Sequence, residues 1–177
     1  GSGRSGMLFT VTGLVREKDL IHQYYFGTDV EHFWPPELRN ERYGYEGFLG
    51  SGKLYRATQR FDGFVAVEFA SEGGELLTEA IPSAKKRENG PGDFQNSGAG
   101  RKLYINARTR GSPGSVELRD PDGRPIPGYT HGECRPVGGD SVALPVGWVN
   151  REIVPTGRPI QLHLRFADAD LYAYSIE

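Results

Sequence analysis

Alternation of apolar and polar residues with a period of two dominates the second half of the chain. The pattern is clearest in the segments Gly114–Arg119 and Pro159–Phe166. Successive side chains of a β-strand point to opposite faces, so one set is expected to face the core: Val116, Leu118, Ile160, Leu162, Leu164 and Phe166. The polar residues between them are then expected to face water: Glu117, Arg119, Gln161, His163 and Arg165. Both segments are therefore predicted to be half-buried strands.

Further short strands are predicted along most of the chain, separated by glycine, proline and aspartate turns. They are Leu8–Thr12, Leu20–Phe26, Leu54–Gln59, Phe64–Ala70, Glu75–Ile81, Arg101–Arg108, Val142–Trp148 and Leu171–Ile176. The 25 glycines and 12 prolines stand between apolar runs, as in the turn Asp120–Gly123. No stretch has a sustained helical period. The sequence therefore predicts an all-β fold, an antiparallel β-sandwich with little helix.

Composition divides the chain into three parts. Residues 1–6 (GSGRSG) read most simply as a cloning remnant, with native loop as the alternative. Residues 7–52 are rich in aromatic side chains, and the consecutive prolines at 35 and 36 predict a long ordered loop over Asp29–Gly52. Residues 53–177 are assigned to the sandwich. Within them, the polar Ser83–Gly100 is expected to be a surface loop with a solvated basic triplet.

Charge and cysteine content exclude some classes of partner. The net charge of −2 and the pI near 6.1 give no reason to expect nucleic acid or an anionic membrane as partner. No apolar run approaches the length that spans a membrane. The single cysteine, Cys134, excludes an internal disulfide and has no recognisable activating partner nearby in sequence.

Pairs of acidic residues were considered as catalytic carboxylates, because a glycosidase needs two of them close together. Asp120/Asp122 and Asp168/Asp170 have the required spacing, but both pairs fall in predicted turns and are interpreted as structural. An autonomous hydrolase would instead draw on strand carboxylates such as Glu68, Glu75 and Glu117.

Metal ligands are sparse in the sequence. Asp120, Asp122 and the following glycine resemble the start of a calcium loop, and with Asp140 they make a candidate calcium site that lacks the later ligand positions of an EF-hand. The four histidines, His22, His32, His131 and His163, have no spacing typical of a metal site. No cofactor other than calcium is therefore predicted.

Aromatic side chains supply the clearest cue for binding. Seven of them crowd the first region: Tyr24, Tyr25, Phe26, Phe33, Trp34, Tyr43 and Tyr45. Exposed rings act as stacking platforms for sugars, which makes Tyr25, Trp34 and Tyr43 candidate glycan-binding residues. The alternative is that these rings form a small core that pins the loop onto the sandwich.

Several motifs together resemble one known family. They are Arg60–Val65 (RFDGFV), Leu103–Asn106 (LYIN), Val116–Leu118 (VEL), Asp122–Tyr129 (DGRPIPGY), Cys134–Pro136 (CRP), Gly157–Pro159 (GRP) and Asp168–Tyr172 (DADLY). This series is similar to the C-terminal, concanavalin-like or jelly-roll sandwich of bacterial proteins related to family 32 glycoside hydrolases. Upstream, Gly13–Arg16 and Gln23–Thr28 look like the last strands of the five-bladed propeller that precedes the sandwich in that family.

The resemblance implies an accessory role. In the family the catalytic carboxylates lie in the propeller, and this chain is too short to contain one, so no catalytic residue is carried over. His32, near the propeller exit, is the position that could line a sugar pocket. The resemblance alone favours an extracytoplasmic location.

Three functions are carried forward. The first is a non-catalytic sandwich module that binds glycan or supports a catalytic propeller. The second is an autonomous glycoside hydrolase on a concanavalin-like sandwich. The third is a structural oligomerisation domain, since detached sheet edges and aromatic side chains favour self-association.

Overall fold

The computed structural model describes residues 7–28, 53–82, 100–155 and 157–177. Every regular element among them is a β-strand, and the strands that pair do so in antiparallel fashion. The chain divides into two compact units, Gly1–Phe61 and Asp62–Glu177. The described residues include no helix long and apolar enough to cross a membrane.

The described residues of the first unit, 7–28 and 53–61, form one antiparallel sheet. Its strands are β1 (Met7–Thr10), β2 (Val15–Glu17), β3 (Leu20–Thr28) and β4 (Lys53–Arg60). β3 is the organising strand, because β4 pairs along nearly its whole length while β1 and β2 pair with its two ends. β4 was assigned to the sandwich from the sequence. In the structure it completes the sheet of the first unit instead.

The second unit contains two sheets. Its strands are β5 (Val67–Phe69), β6 (Gly74–Leu77), β7 (Leu103–Thr109), β8 (Ser115–Arg119), β9 (Asp140–Val146), β10 (Gln161–Phe166) and β11 (Ala169–Ile176). One sheet has the order β6-β10-β8 and the other β5-β11-β7-β9. The alternation in the sequence explains the burial, since the apolar positions of β8 and β10 are almost inaccessible to solvent.

A single apolar core joins the two sheets. Leu103 and Ile105 of β7 belong to the same buried cluster as Leu118 of β8 and Leu162 of β10. Phe69 and Phe166, one from each sheet, pack with ring centroids 5.5 Å apart. The arrangement confirms the all-β prediction and the antiparallel sandwich. The jelly-roll or concanavalin-like assignment stays a prediction.

The turn after β8 reverses the direction of the chain, so that the residues that follow it run alongside β8. Asp120 accepts hydrogen bonds at Oδ1 from the backbone N–H groups of Asp122 and Arg124, and Gly123 takes a positive φ of 79°. Beyond the turn, the backbone N–H of Leu118 donates to the carbonyl of Tyr129 at 2.9 Å. The segment 124–134 therefore lies against β8 and supplies a side chain to the candidate site.

Candidate functional site

The outer face of the β6-β10-β8 sheet carries a set of polar side chains. In the register, His163 of β10 lies opposite Glu117 of β8, and Arg165 lies opposite both Ser115 of β8 and Glu75 of β6. Since alternate residues of a strand share a face, these five side chains lie together on the side of the sheet away from the apolar core.

Two of these residues are buried, contrary to the sequence-based expectation. Glu117 and His163 were predicted to face water, but only 6% and 4% of their surfaces are exposed. The alternation assigned them to the correct face, and His131, from the segment that follows the turn, contacts both of them there. In that segment the backbone N–H of His131 donates to Glu117 Oε2 at 3.3 Å. Arg165 stays exposed, as predicted.

Four side chains form a continuous hydrogen-bonded chain. Ser115 Oγ lies 2.8 Å from His131 Nδ1, and His131 Nε2 lies 3.0 Å from His163 Nδ1. His163 Nε2 in turn lies 3.0 Å from Glu75 Oε2. An ionised Glu75 can only accept, so His163 donates from Nε2 and accepts at Nδ1. His131 then donates from Nε2, and the Ser115 hydroxyl donates to His131 Nδ1.

Glu117 lies beside this chain and contacts both histidines. Its Oε1 is 3.6 Å from His163 Nδ1 and accepts a hydrogen bond from Arg119 Nε at 2.9 Å. Together with Ser115, His131, His163 and Glu75 it makes up a group that we name the histidine cluster. All five residues belong to the second unit.

The surroundings fix the charge states of the cluster. The pKa of Glu75 is lowered, first by its hydrogen bond with His163 and also by Arg165. Burial acts to raise the pKa of Glu117, but hydrogen bonds from Arg119 and the His131 backbone outweigh it and the pKa lies below the ordinary value. Burial, with the charge of Arg165, lowers the pKa of His131. At neutral pH the carboxylates are therefore ionised and His131 is neutral.

The histidine cluster also contains a set of possible metal ligands. One ligand atom each from Glu117, His131 and His163 lies within 4.8 Å of the other two. Within the part of the chain that the structure describes, this is the one group of three or more such side chains. The histidine spacing gave no hint of it, because His131 and His163 are far apart in sequence.

The predicted calcium ligands do not converge in this way. Asp120 Oδ1 accepts hydrogen bonds within its own turn. Asp122 Oδ2 lies 3.6 Å from Arg124 Nη1, and Asp140 Oδ2 lies 3.9 Å from Arg108 Nε. None of the three aspartates belongs to the group of possible metal ligands found among the described residues. The calcium site stays a prediction.

Of the strand carboxylates considered for hydrolysis, Glu75 and Glu117 lie together in the histidine cluster and Glu68 lies apart from them. Glu68 lies on β5 in one sheet of the sandwich, whereas Glu75 and Glu117 lie on the other sheet. Asp168 and Asp170 both pair with Arg110, which agrees with their interpretation as structural residues.

Cys134 has the properties of a structural thiol. It accepts a hydrogen bond from the backbone N–H of Val116 at 3.2 Å, and burial raises the pKa of its thiol. A raised pKa reduces the thiolate fraction at neutral pH, so the residue is a poor nucleophile.

Of the predicted glycan-binding residues, only Tyr25 lies in the described part of the chain. His32, Trp34 and Tyr43 fall outside it. Tyr25 of β3 is directly opposite Tyr55 of β4, and the two rings stack with centroids 5.1 Å apart and planes inclined by 12°. Tyr25 is half-buried, and 42% of Tyr55 is exposed.

Comparison with known proteins adds no assignment to this geometry. No protein-family model, no curated protein and no solved structure matches the chain.

Proposed function

We infer that this chain is a non-catalytic β-sandwich accessory module of a carbohydrate-active protein, and that it supports a catalytic propeller domain. The inference joins the resemblance of its motifs to the sandwich of proteins related to family 32 glycoside hydrolases with one structural observation. That observation is an exposed apolar face on the sheet of the first unit.

The apolar face combines residues from three strands. Leu20 and Phe26 are on the same face of β3, and the register places Val15 of β2 and Leu54 of β4 beside that face. Each of these side chains is at least 40% exposed, and Leu54 reaches 66%. The same face also carries Arg56, Thr58 and Arg60 of β4, so the exposed apolar side chains lie towards its two ends. Exposed apolar residues with polar neighbours are typical of surfaces that contact a partner. A docking role accounts for this surface better than a free-standing domain does.

The charge states of two of the three candidate carboxylates, Glu75 and Glu117, argue against their use in an autonomous hydrolase. Glycoside hydrolysis requires one carboxylic acid that stays protonated near neutral pH, which needs a raised pKa. The pKa values of Glu75 and Glu117 are both lowered, by His163 and by Arg119 respectively, together with the other groups around each. Neither residue is suited to act as the general acid.

Docking is tested by mixing the chain with a five-bladed propeller domain from a protein related to family 32 glycoside hydrolases. Analytical ultracentrifugation should show a complex with the wild-type chain. Leu54→Lys places a charge on the apolar face and should weaken that complex at least tenfold. Val149→Lys is the matched control, because Val149 is 68% exposed but lies in the second unit. Absence of a wild-type complex, or equal weakening by both variants, would overturn the docking role.

Direct glycan binding is a second candidate, favoured by the stacked pair Tyr25 and Tyr55. Aromatic rings with exposed faces contact the apolar faces of sugars. Calorimetric titration with fructan and arabinan should give binding heat that disappears in Tyr25→Ala and persists in Tyr174→Ala, a control tyrosine that is 41% exposed on β11. A folded Tyr25→Ala chain that still binds would remove this pair from the site.

A further inference from the structure

We propose that His131, His163 and Glu117 form a binding site for a divalent transition-metal ion, with zinc as the best match. The site lies on the outer face of the sandwich, in the second unit, and is separate from the apolar face and the tyrosine pair of the first unit. A metal ion at this site is not needed for the accessory role proposed above, so the two proposals are independent.

The spacing of the ligand atoms suits a small tetrahedral ion. Zinc bound at about 2.0–2.1 Å from each ligand places neighbouring ligand atoms about 3.3 Å apart. In the cluster, His131 Nε2 and His163 Nδ1 are 3.0 Å apart, and His163 Nδ1 and Glu117 Oε1 are 3.6 Å apart. These two distances bracket the required value, and all three ligand atoms lie within 4.8 Å of one another. Side-chain rotation that brings His131 and Glu117 closer together would complete the coordinating positions.

The orientation of the two rings also favours shared coordination. Their planes meet at 70° with centroids 4.8 Å apart. The rings therefore do not stack, and the facing nitrogens His131 Nε2 and His163 Nδ1 lie 3.0 Å apart with Glu117 Oε1 3.6 Å from the latter. Because Glu117 and His163 are buried, water competes weakly for these donor atoms.

Each ligand has the supporting partner that metal sites commonly show. A histidine that binds a metal through one nitrogen usually donates a hydrogen bond from the other, often to a carboxylate. Glu75 Oε2 lies 3.0 Å from His163 Nε2, and Ser115 Oγ lies 2.8 Å from His131 Nδ1. Metal binding requires that His131 move its proton from Nε2 to Nδ1, where it donates to Ser115 Oγ, and that the hydrogen bond between the two histidines be replaced by bonds to the metal. Arg119 holds the Glu117 carboxylate in place.

The donor set selects the class of metal. Two imidazole nitrogens and one carboxylate suit zinc and related transition metals, whereas calcium and magnesium prefer oxygen ligands alone. Three protein ligands leave a fourth tetrahedral position for water. Arg119 pairs with Glu117, and Arg165 pairs with Glu75. Because Arg165 is half exposed, solvent screens its repulsion of a bound cation.

The test is calorimetric titration of the untagged chain, previously treated with a chelator, with zinc chloride, and with calcium chloride for comparison. We expect about one zinc ion per chain and no calcium binding at the same site. Cobalt chloride should give the intense visible absorption of a tetrahedral Co²⁺ site with nitrogen and oxygen ligands. A chain that binds no zinc and gives no such spectrum would overturn the proposal.

Variants distinguish the site from adventitious binding. His131→Gln should abolish zinc binding and the cobalt spectrum, and because His131 is only half-buried the variant is expected to fold. Glu75→Gln, at an exposed supporting position, should weaken binding about tenfold to a hundredfold. The matched control is His22→Gln, which removes a buried histidine that contacts Glu17 and Thr58 in the first unit. Binding retained in folded His131→Gln, or lost in folded His22→Gln, would refute the assignment.

Discussion

At the scale of single residues, the core of the second unit is held by polar contacts as well as by apolar packing. Trp148 is fully buried, and its indole Nε1–H donates to the carbonyl of Val116 at 3.0 Å. The ring of Tyr129 packs edge to face against the Trp148 ring, with centroids 4.9 Å apart. The Tyr129 hydroxyl donates to the carbonyl of Ile153. Both aromatic side chains therefore fill volume and satisfy backbone acceptors.

Trp148→Phe should lower the free energy of unfolding by about 1–3 kcal/mol, because it leaves the buried carbonyl of Val116 without this donor. Tyr129→Phe removes a half-buried hydrogen bond and should cost about 0.5–1.5 kcal/mol. Urea denaturation followed by far-ultraviolet circular dichroism measures both. A Trp148→Phe chain as stable as wild type would contradict the role assigned to the indole N–H.

The thiol of Cys134 gives a second prediction at this scale. Burial raises its pKa, so at any pH below that value the folded chain holds less thiolate than the unfolded chain. Alkylation by iodoacetamide at pH 8 should be slower in the native protein than in urea, and its pH midpoint should lie higher. Equal midpoints in the two states would show that the thiol is not protected.

The histidine cluster shows what residue patterns can and cannot reveal. Alternation correctly placed Glu117 and His163 on the face opposite the core. It could not show that His131 lies against that face, because alternation carries no information on what lies above a sheet. The contact between His131 and His163 joins residues far apart in the chain and has no local signal in the sequence.

At the scale of elements, long strands with clear alternation were predictable and short ones were not. β10 (Gln161–Phe166) and β8 (Ser115–Arg119) agree closely with their predicted bounds. β2 (Val15–Glu17) has only three residues and was not predicted from alternation, although the family resemblance interpreted Gly13–Arg16 as a strand. The predicted strand Phe64–Ala70 is reduced to Val67–Phe69, and Val65 is 76% exposed. The extent of each short strand depends on the strand beside it, because a short strand forms only where a neighbouring strand offers hydrogen bonds.

Close approach of β8 and β10 depends on a glycine. A Cβ at Gly114, just before β8, would lie 2.2 Å from the Phe166 ring and 2.6 Å from the carbonyl oxygen of Arg165. Gly114→Ala should therefore destabilise the protein by about 1–3 kcal/mol through overpacking. Gly132→Ala is the control, because a Cβ there meets nothing within 4 Å. Equal stability of the two variants in thermal denaturation would contradict this account of the contact.

At the scale of the whole molecule, the two units differ in how far their apolar side chains are buried. The second unit buries its apolar side chains between two sheets, whereas the first leaves Leu20, Phe26 and Leu54 largely in water. The sequence boundary at residue 52 was drawn from composition, and the contacts divide the chain after Phe61 because β4 pairs with β3. Composition reflects local residue types, and strand pairing over a long separation is not visible in it.

We propose that this chain serves a carbohydrate-active protein as a non-catalytic accessory module. The most direct measurement is product release from fructan and arabinan by the purified chain, with zinc present and after chelation. We predict no release above the rate in buffer under either condition, since the lowered pKa values of Glu75 and Glu117 leave no general acid between them. Sustained release that disappears in Glu75→Gln or Glu117→Gln would contradict the account and identify the chain as a hydrolase.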